Sequence, residues 1–322
     1  MQKIAVVCGG YSGEAVVSMR SAAMVMEHID KSRYSPVQVV IEKANWFALW
    51  NGEKIAIDRN DFSVVLDQNR VTFDGAFIIV HGTPGENGLL QGYFDMIGLP
   101  YTTGDVMNMS LTFNKKSTTV YLKSLGFHVA ESIVLYENEG GWDADRIINQ
   151  VGLPCFVKPN NGGSSIGTSK VKQKEDLNTA IIKAFKEDGQ VIVESFLDGV
   201  EVTCGVIKWE GKVKALPMTE IVSKNEFFDF DAKYQGLSEE ITPARISETL
   251  FNQIQRLSER IYVEMKCRGM IRVDFIIQKE TPFVVEINTV PGFSEASIIP
   301  QQAACAGIDK TALISAVIQS CF

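Results

Sequence analysis

The sequence predicts an α/β protein of more than one domain, and three stretches carry that expectation. The first is an apolar run at residues 3–7 that passes through Cys8-Gly9-Gly10-Tyr11-Ser12-Gly13-Glu14 into a helical stretch reaching about His28. Strand, glycine turn and helix in that order open an α/β unit. The second repeats the plan: a strand at 76–80 runs into His81-Gly82-Thr83-Pro84-Gly85-Glu86-Asn87-Gly88, then a helix with Leu89, Leu90, Tyr93, Phe94 and Ile97 on one face. The third is 268–293, RGMIRVDFIIQKETPFVVEINTVPGF. Its runs 271–277 and 283–287 are apolar and β-branched, and 278–282 between them has the polar residues and Pro of a short loop, so it reads as a β-hairpin.

A length of 322 residues allows two or three domain-sized units with ample core. Hydrophobic residues at 45% and charged residues at 22% are the proportions of a soluble globular protein. A net charge of -8 argues against a general nucleic-acid or membrane-surface binder. No apolar run is long enough to span a bilayer, and MQKIAVVCGG reads as a first strand, not a signal peptide. Six scattered cysteines without a CxxC pair read as reduced, mostly buried thiols of a cytosolic protein.

In chain order, 36–41 reads as a second strand and 71–73 as a weak one. Residues 99–104 mark a domain boundary. Two helical stretches follow, separated by Asn114-Lys115-Lys116, then a strand at 132–136. A buried strand at 153–158 ends in Lys158 and continues as Pro159-Asn160-Asn161-Gly162-Gly163-Ser164-Ser165-Ile166-Gly167. Residues 174–188 form an amphipathic helix with Leu177, Ile181, Ala184 and Phe185 inward, stopped by Gly189. Residues 191–194 read as a strand, 195–200 as a loop, and 201–208 and 212–219 as antiparallel strands around Glu210-Gly211. Residues 223–236 lack periodicity and read as a long ordered loop or lid, a kind of segment that usually carries function. A clear helix at 247–266 has Leu250, Ile254, Leu257 and Ile261 inward, and two more helices lie at about 297–305 and 310–319.

Side chains alternate along a strand. Arg272, Asp274 and Ile276 therefore share one face of the hairpin's first strand, and Val284, Glu286 and Asn288 one face of its second. A turn centred on Glu280 sets Asp274 across from Glu286 and Arg272 across from Asn288. Two carboxylates about 5 Å apart repel. A hard divalent cation such as Mg²⁺ takes carboxylate and amide oxygens and removes the repulsion. The other reading has one carboxylate pointing to solvent beside Arg272. The glycines and small hydroxyl residues at 159–167 let backbone N–H groups close around phosphate oxygens, or make a plain hairpin turn. This is not a Walker A loop, because the lysine precedes the glycines, and the N-terminal glycines lack GxGxxG spacing. Glu14 serves either the helix dipole or a site. His81 sits where a strand becomes a glycine-rich loop, the usual place for site residues in open α/β sheets, although a lone histidine is more often structural. His28 and His128 read as structural or surface.

The runs HGTPGENGLLQG, KPNNGGSSIGTSKV, FFDFDAKY and RVDF…EINTVPGFSEAS appear in this order behind an N-terminal GGYSGE. Together they resemble the D-alanine–D-alanine ligase family of the ATP-grasp superfamily, over nearly the whole chain as far as Ser297. The resemblance implies a three-domain ATP-grasp architecture: an N-terminal open α/β (Rossmann-like) substrate domain at 1–103, a central subdomain at 104–194, and a C-terminal subdomain at 195–322 with the metal site and lid. It implies ATP-dependent joining of two D-alanines through a D-alanyl phosphate for peptidoglycan synthesis. The partners it implies are D-alanine and ATP, with neither nucleic acid nor membrane, in a cytoplasmic homodimer.

By the same resemblance, Lys115 and Lys158 bind phosphate, Ser164 and Ser165 belong to the loop over it, and Lys233 joins the ATP site. Glu194 and Leu197 meet adenine and Glu201 the ribose. Asp274, Glu286 and Asn288 hold two Mg²⁺ ions, for which Mn²⁺ can substitute. Arg272 and the backbone N–H of Gly292 stabilise the transferring phosphoryl group or the tetrahedral oxyanion. Glu14 and His81 receive the first D-alanine, Ser297 and Ile298 the carboxylate of the second, and Tyr234 ties the lid to Ser164 and Glu14. Ala15, Asn87, Ser195 and Val290 depart from the commonest family pattern.

Two other functions fit less of the sequence. A relative making D-Ala–D-lactate is opposed by the tyrosine of the AKY run, whereas D-Ala–D-Ser synthesis is not separated from D-Ala–D-Ala synthesis by these motifs. A non-catalytic ATP-binding protein on the same fold could spare the transition-state groups, yet Arg272, both acidic ligands and Asn288 are all present.

Overall fold

The computed structural model describes residues 1–223 and 238–321. The chain begins with β1 (Gln2–Gly9), α1 (Ala15–His28), β2 (Tyr34–Ile41), β3 (Trp46–Trp50) and β4 (Glu53–Ala56). A small hairpin of β5 (Val64–Leu66) and β6 (Asn69–Val71) precedes β7 (Gly75–Ile78) and α2 (Leu89–Ile97). The five-stranded sheet has the order β4-β3-β2-β1-β7, with β1 parallel to both β2 and β7. Strand β1 is interior and has a core on each face, so Ile4 to Cys8 form an unbroken buried run rather than an alternating one. Ile4, Val6 and Cys8 join one core with Val25 of α1, and Ala5 and Val7 another with Leu90 and Phe94 of α2.

Next come α3 (Val106–Phe113), α4 (Lys115–Ser124), β8 (Ser132–Tyr136), α5 (Ala144–Val151), β9 (Cys155–Pro159), β10 (Ser169–Val171), α6 (Lys174–Phe185) and β11 (Gln190–Ser195). Their antiparallel sheet, β10-β9-β11-β8, is backed by α5 and α6 through Ile147, Val157, Ile181 and Val193. The last part holds β12 (Val200–Trp209), β13 (Lys212–Ala215), β14 (Thr219–Ser223), β15 (Ser238–Ile241), α7 (Glu248–Glu264), β16 (Met270–Gln278), β17 (Thr281–Asn288), α8 (Ile298–Cys305) and α9 (Lys310–Gln319). The sheet order is β15-β14-β12-β16-β17, with β13 on β12. Helix α7 covers one face, packing Leu250, Ile254 and Ile261 on Val273 and Phe275. The first and last sheets share a core, since Ile4 and Val25 cluster with Ile207, Phe293, Leu313 and Ile314.

Strands β3, β4, β5, β10 and β15 and helix α5 go beyond the elements expected from the sequence. The signal for β3–β4 was present: Asn51-Gly52, both at positive φ, is a two-residue turn that hairpins favour. Asn114 alone separates α3 from α4, because its side chain caps α4 by accepting from the Ser117 N–H at 2.9 Å. Helix α6 ends at Phe185, before Gly189. The strand expected at 212–219 is broken, where the Leu216 N–H turns to the Gly205 carbonyl at 2.8 Å. All six cysteines are free and four are buried. Among the described residues no helix is long and apolar enough to cross a membrane.

Candidate active site

The β16–β17 hairpin has a two-residue turn at Lys279-Glu280, both at positive φ, and Gln278 pairs with Thr281. The ladder runs regularly to Phe275 opposite Val284, then shifts, so that Asp274 lies opposite Glu286 and Arg272 opposite Asn288. Val285 is the extra residue of a β-bulge. A one-residue slip would move every following side chain to the other face, and the bulge absorbs it. The expected facing pairs are therefore present, but Val284 does not share a face with Glu286: it is buried beside Phe275 in the α7 core. The pairing Thr203↔Asp274 adds a third strand to the carboxylate row.

Asp274 is 7% exposed and is held by donors on three strands. The Thr203 hydroxyl donates to Oδ1 at 2.5 Å, Arg272 donates through Nε and Nη2 at 2.8 Å each, and the Asn288 amide donates to Oδ2 at 3.0 Å. Burial opposes the charge on Arg272, but Asp274, Glu286 and Glu201 together outweigh it and raise its pKa further. Two carboxylates and an amide are the oxygen donors that a hard cation takes, so the donor set fits Mg²⁺. Among the described residues no cluster of three or more His, Cys, Asp or Glu is arranged for a metal, so the fit rests on Asp274, Glu286 and the Asn288 amide oxygen together.

A cleft of about 480 Å³ opens above this face. Lys115, Lys158, Ser164, Ser165, Glu194, Leu197, Glu201, Asp274, Glu286 and Glu14 all line it. Lys158 leaves β9 beside β11, and its ammonium sits 2.8 Å from the Glu194 carboxylate. Burial works against the Lys158 charge, yet Glu194 and the more distant Glu286 and Glu201 raise its pKa, so it stays cationic. Lys115 Nζ donates to the Gly162 carbonyl at 2.6 Å. The glycine-rich turn places Ser164 and Ser165 at positive φ, with the Ser164 hydroxyl donating to Glu14 Oε1 at 2.5 Å. Glu14 thereby crosses from the start of α1 to a loop 150 residues away. Two glycines admit it: a Cβ on Gly82 or on Gly163 would lie 2.9 Å from a Glu14 oxygen.

His81 does not line the cleft. It is 5% exposed, with Nδ1 donating to the Val290 carbonyl at 2.8 Å and Nε2 meeting the Ser21 hydroxyl at 3.1 Å. Burial lowers its pKa most, the Val290 carbonyl and Glu14 push it back up, and the net direction is down. Ser297 Oγ accepts from the Ser294 N–H at 2.8 Å just before α8, and Ile298 is buried. A Cβ on Gly292 would lie 3.2 Å from that Ser297 Oγ, so the two are adjacent. Lys233 and Tyr234 lie outside the described residues.

Sequence reasoning did not single out Thr203, Ser21 or Glu86. Glu86 accepts from the Gly82 N–H at 2.7 Å and the Val290 N–H at 3.3 Å, and burial, then Glu14, pushes its pKa up to about 8. Its place in the glycine loop beside His81 was a usable signal. Thr203 has none, since its partner is 71 residues away. Of the departures, Asn87 donates to Thr83 Oγ1 at 3.2 Å and accepts from the Leu89 N–H, while Val290 acts through its backbone.

Two family profiles match the chain: "D-ala D-ala ligase N-terminus" over residues 3–104 and "D-ala D-ala ligase C-terminus" over residues 121–319. A D-alanine–D-alanine ligase of Phocaeicola vulgatus is 48% identical over 321 residues, spanning 99% of each chain. One of Flavobacterium johnsoniae is 46% identical over 321 residues, again spanning 99% of each. Among solved structures, a D-Ala:D-Ser ligase from Enterococcus faecalis is similar with a TM-score of 0.88 at 28% identity, covering 99% of this chain and 98% of that one. The D-alanine–D-alanine ligase from Coxiella burnetii is similar with a TM-score of 0.86 at 27% identity, covering 100% and 95%.

Proposed function

We infer the reaction from kinship and site together: the chain belongs to the D-alanine–D-alanine ligase family, and it joins two D-alanines using ATP. The observation that carries the site reading is the meeting of Glu14 with Ser164 over a cleft that also holds Lys115, Lys158, Asp274 and Glu286. A carboxylate that can orient an amino acid there stands beside groups that can orient a nucleoside triphosphate.

In the first step a carboxylate oxygen of one D-alanine attacks the γ-phosphorus, the bond to the β-phosphate oxygen breaks, and ADP leaves behind D-alanyl phosphate. Such transfer needs positioning and charge neutralisation more than covalent catalysis. Lys115 and Lys158 meet the phosphate oxygens, with Glu194 holding Lys158 in place. The turn of Ser164 and Ser165 closes over them, while Glu194, Leu197 and Glu201 face the nucleoside. Asp274, Glu286 and Asn288 would hold the two Mg²⁺ ions, which when bound supply charge neutralisation at the phosphate oxygens. Glu14 receives the ammonium of the first D-alanine.

In the second step the free amine of the other D-alanine attacks the acyl carbon and loses a proton, and the carbon–oxygen bond to phosphate breaks. Ser297 and the start of α8 receive its carboxylate. Arg272 and the Gly292 N–H face the oxyanion of the tetrahedral intermediate. His81 acts from behind the first subsite. The lid role that the resemblance gives Lys233 and Tyr234 falls outside the described residues. Domains at 1–103, 104–194 and 195–322 each contain one main sheet, which supports that division. We also propose a cytoplasmic homodimer serving peptidoglycan synthesis, and light scattering on the eluting protein tests the dimer.

Purified protein incubated with ATP, Mg²⁺ and D-alanine should yield ADP, phosphate and D-alanyl-D-alanine in equal amounts. D-Serine and D-lactate in competition arms report the second substrate. ATP binding without dipeptide would return the non-catalytic reading.

A further inference from the structure

The loop that joins β17 to α8 carries Gly292, and it is held from outside by residues of the first sheet's connections. The Val290 carbonyl accepts from His81 Nδ1 at 2.8 Å. The Val290 N–H donates to Glu86 at 3.3 Å. The Phe293 N–H donates to Ser21 Oγ at 3.1 Å, and the same hydroxyl meets His81 Nε2 at 3.1 Å. Ser21 is fully buried, and neither it nor His81 is among the residues that line the cleft.

Burial lowers the His81 pKa and favours the neutral ring, for which the polarity of this chain has one solution. A carbonyl only accepts, so His81 Nδ1 carries the proton and the neutral ring's Nε2 accepts. The Ser21 hydroxyl must then donate to His81, which leaves its lone pair for the Phe293 N–H. Gly292 lies between the two anchored residues, Val290 and Phe293. A dipole aimed at developing charge is effective when it does not have to reorganise during the reaction.

We propose that Ser21 and His81 are positioning residues for the ligation step, fixing the backbone at 290–293 so that the Gly292 N–H meets the oxyanion. This rests on the role given to Gly292 above. The test is Ser21→Ala, with Ser21→Thr as the hydroxyl-retaining control and wild type alongside. The measurements are kcat, the KM for ATP and for D-alanine, melting temperature, and affinity for a phosphinate that mimics the tetrahedral adduct. Ser21→Ala should lower kcat by ~10- to 100-fold, the size of effect expected when a reacting group is displaced by a fraction of an ångström to one ångström. Affinity for the phosphinate should fall in step, while both KM values stay near wild type, and Ser21→Thr should recover most of the loss. A merely structural role would lower the folded fraction and weaken ATP and phosphinate binding alike, and that result overturns the proposal. So does a folded Ser21→Ala with unchanged kcat and phosphinate affinity. If Ser21→Ala does not fold, the same comparison in His81→Gln decides. Absence of dipeptide from the wild type would instead refute the reaction, whatever Ser21 does.

Discussion

Replacing Thr203 by valine removes one hydroxyl from beneath Asp274 and changes little else. Valine keeps the shape of threonine, so no cavity opens. The lost contact is a 2.5 Å hydrogen bond between two buried groups, Thr203 at 2% and Asp274 at 7% exposure. A hydrogen bond to a charged acceptor contributes ~1.5–3 kcal/mol. Unfolding entropy of ~2.1 cal/mol/K per residue over 322 residues puts ~1.5 °C on each kcal/mol, so the melting temperature should fall by ~2–4 °C. The second effect is on the ion. Asp274 would keep Arg272 and Asn288 but lose one of the two donors to Oδ1, the other being Arg272 Nε, and partners that orient a ligand typically contribute ~10–100-fold in metal affinity. Mn²⁺ binding followed by electron paramagnetic resonance, with a non-hydrolysable ATP analogue present, reads this without turnover. Thr203→Ser should behave close to wild type in both assays. If Thr203→Val melts and binds Mn²⁺ as wild type does, the hydroxyl does not orient the carboxylate and the reasoning is wrong.

Glu286→Gln should nearly abolish ATP-dependent phosphate release with the fold retained, because it relieves the carboxylate repulsion across the bulge; turnover near wild type would refute the metal assignment. Gly163→Ala brings a Cβ to 2.9 Å from Glu14, so it should raise the KM for D-alanine far more than that for ATP, as steady-state kinetics would show. Glu86 has its folded pKa raised from 4.5 to about 8 by burial and by Glu14, so its contribution to stability is full below pH 4.5 and is lost as pH rises to about 8. Glu86→Gln cannot ionise and should flatten the fall of melting temperature over that window; an unchanged slope would show that Glu86 ionises normally.

The sequence by itself determined the alternation of strand, glycine turn and helix, the apolar faces, and the motifs that carry the family resemblance. These are local properties, set by side-chain period and by residues that only certain turns accept. It also placed Arg272 and Asp274 on one strand face, because a two-residue spacing fixes that wherever the strand goes. The facing of Asp274 and Glu286 was anticipated for an incomplete reason. The real turn is centred half a residue earlier, and only the Val285 bulge restores the match. No local period encodes a bulge; it depends on how β17 must bend to bury Val284 on one side and present Glu286 on the other. His81 is the reverse case. Its glycine-rich loop is a usual place for a site residue, and only the packing of the first sheet against the last shows that its ring meets Ser21 and Val290. The meetings of Ser164 with Glu14 and of Thr203 with Asp274 join residues 150 and 71 positions apart. The second follows from the pairing of β12 with β16 in one sheet and the first from the approach of the glycine-rich loop to the start of α1, and tertiary structure alone decides both.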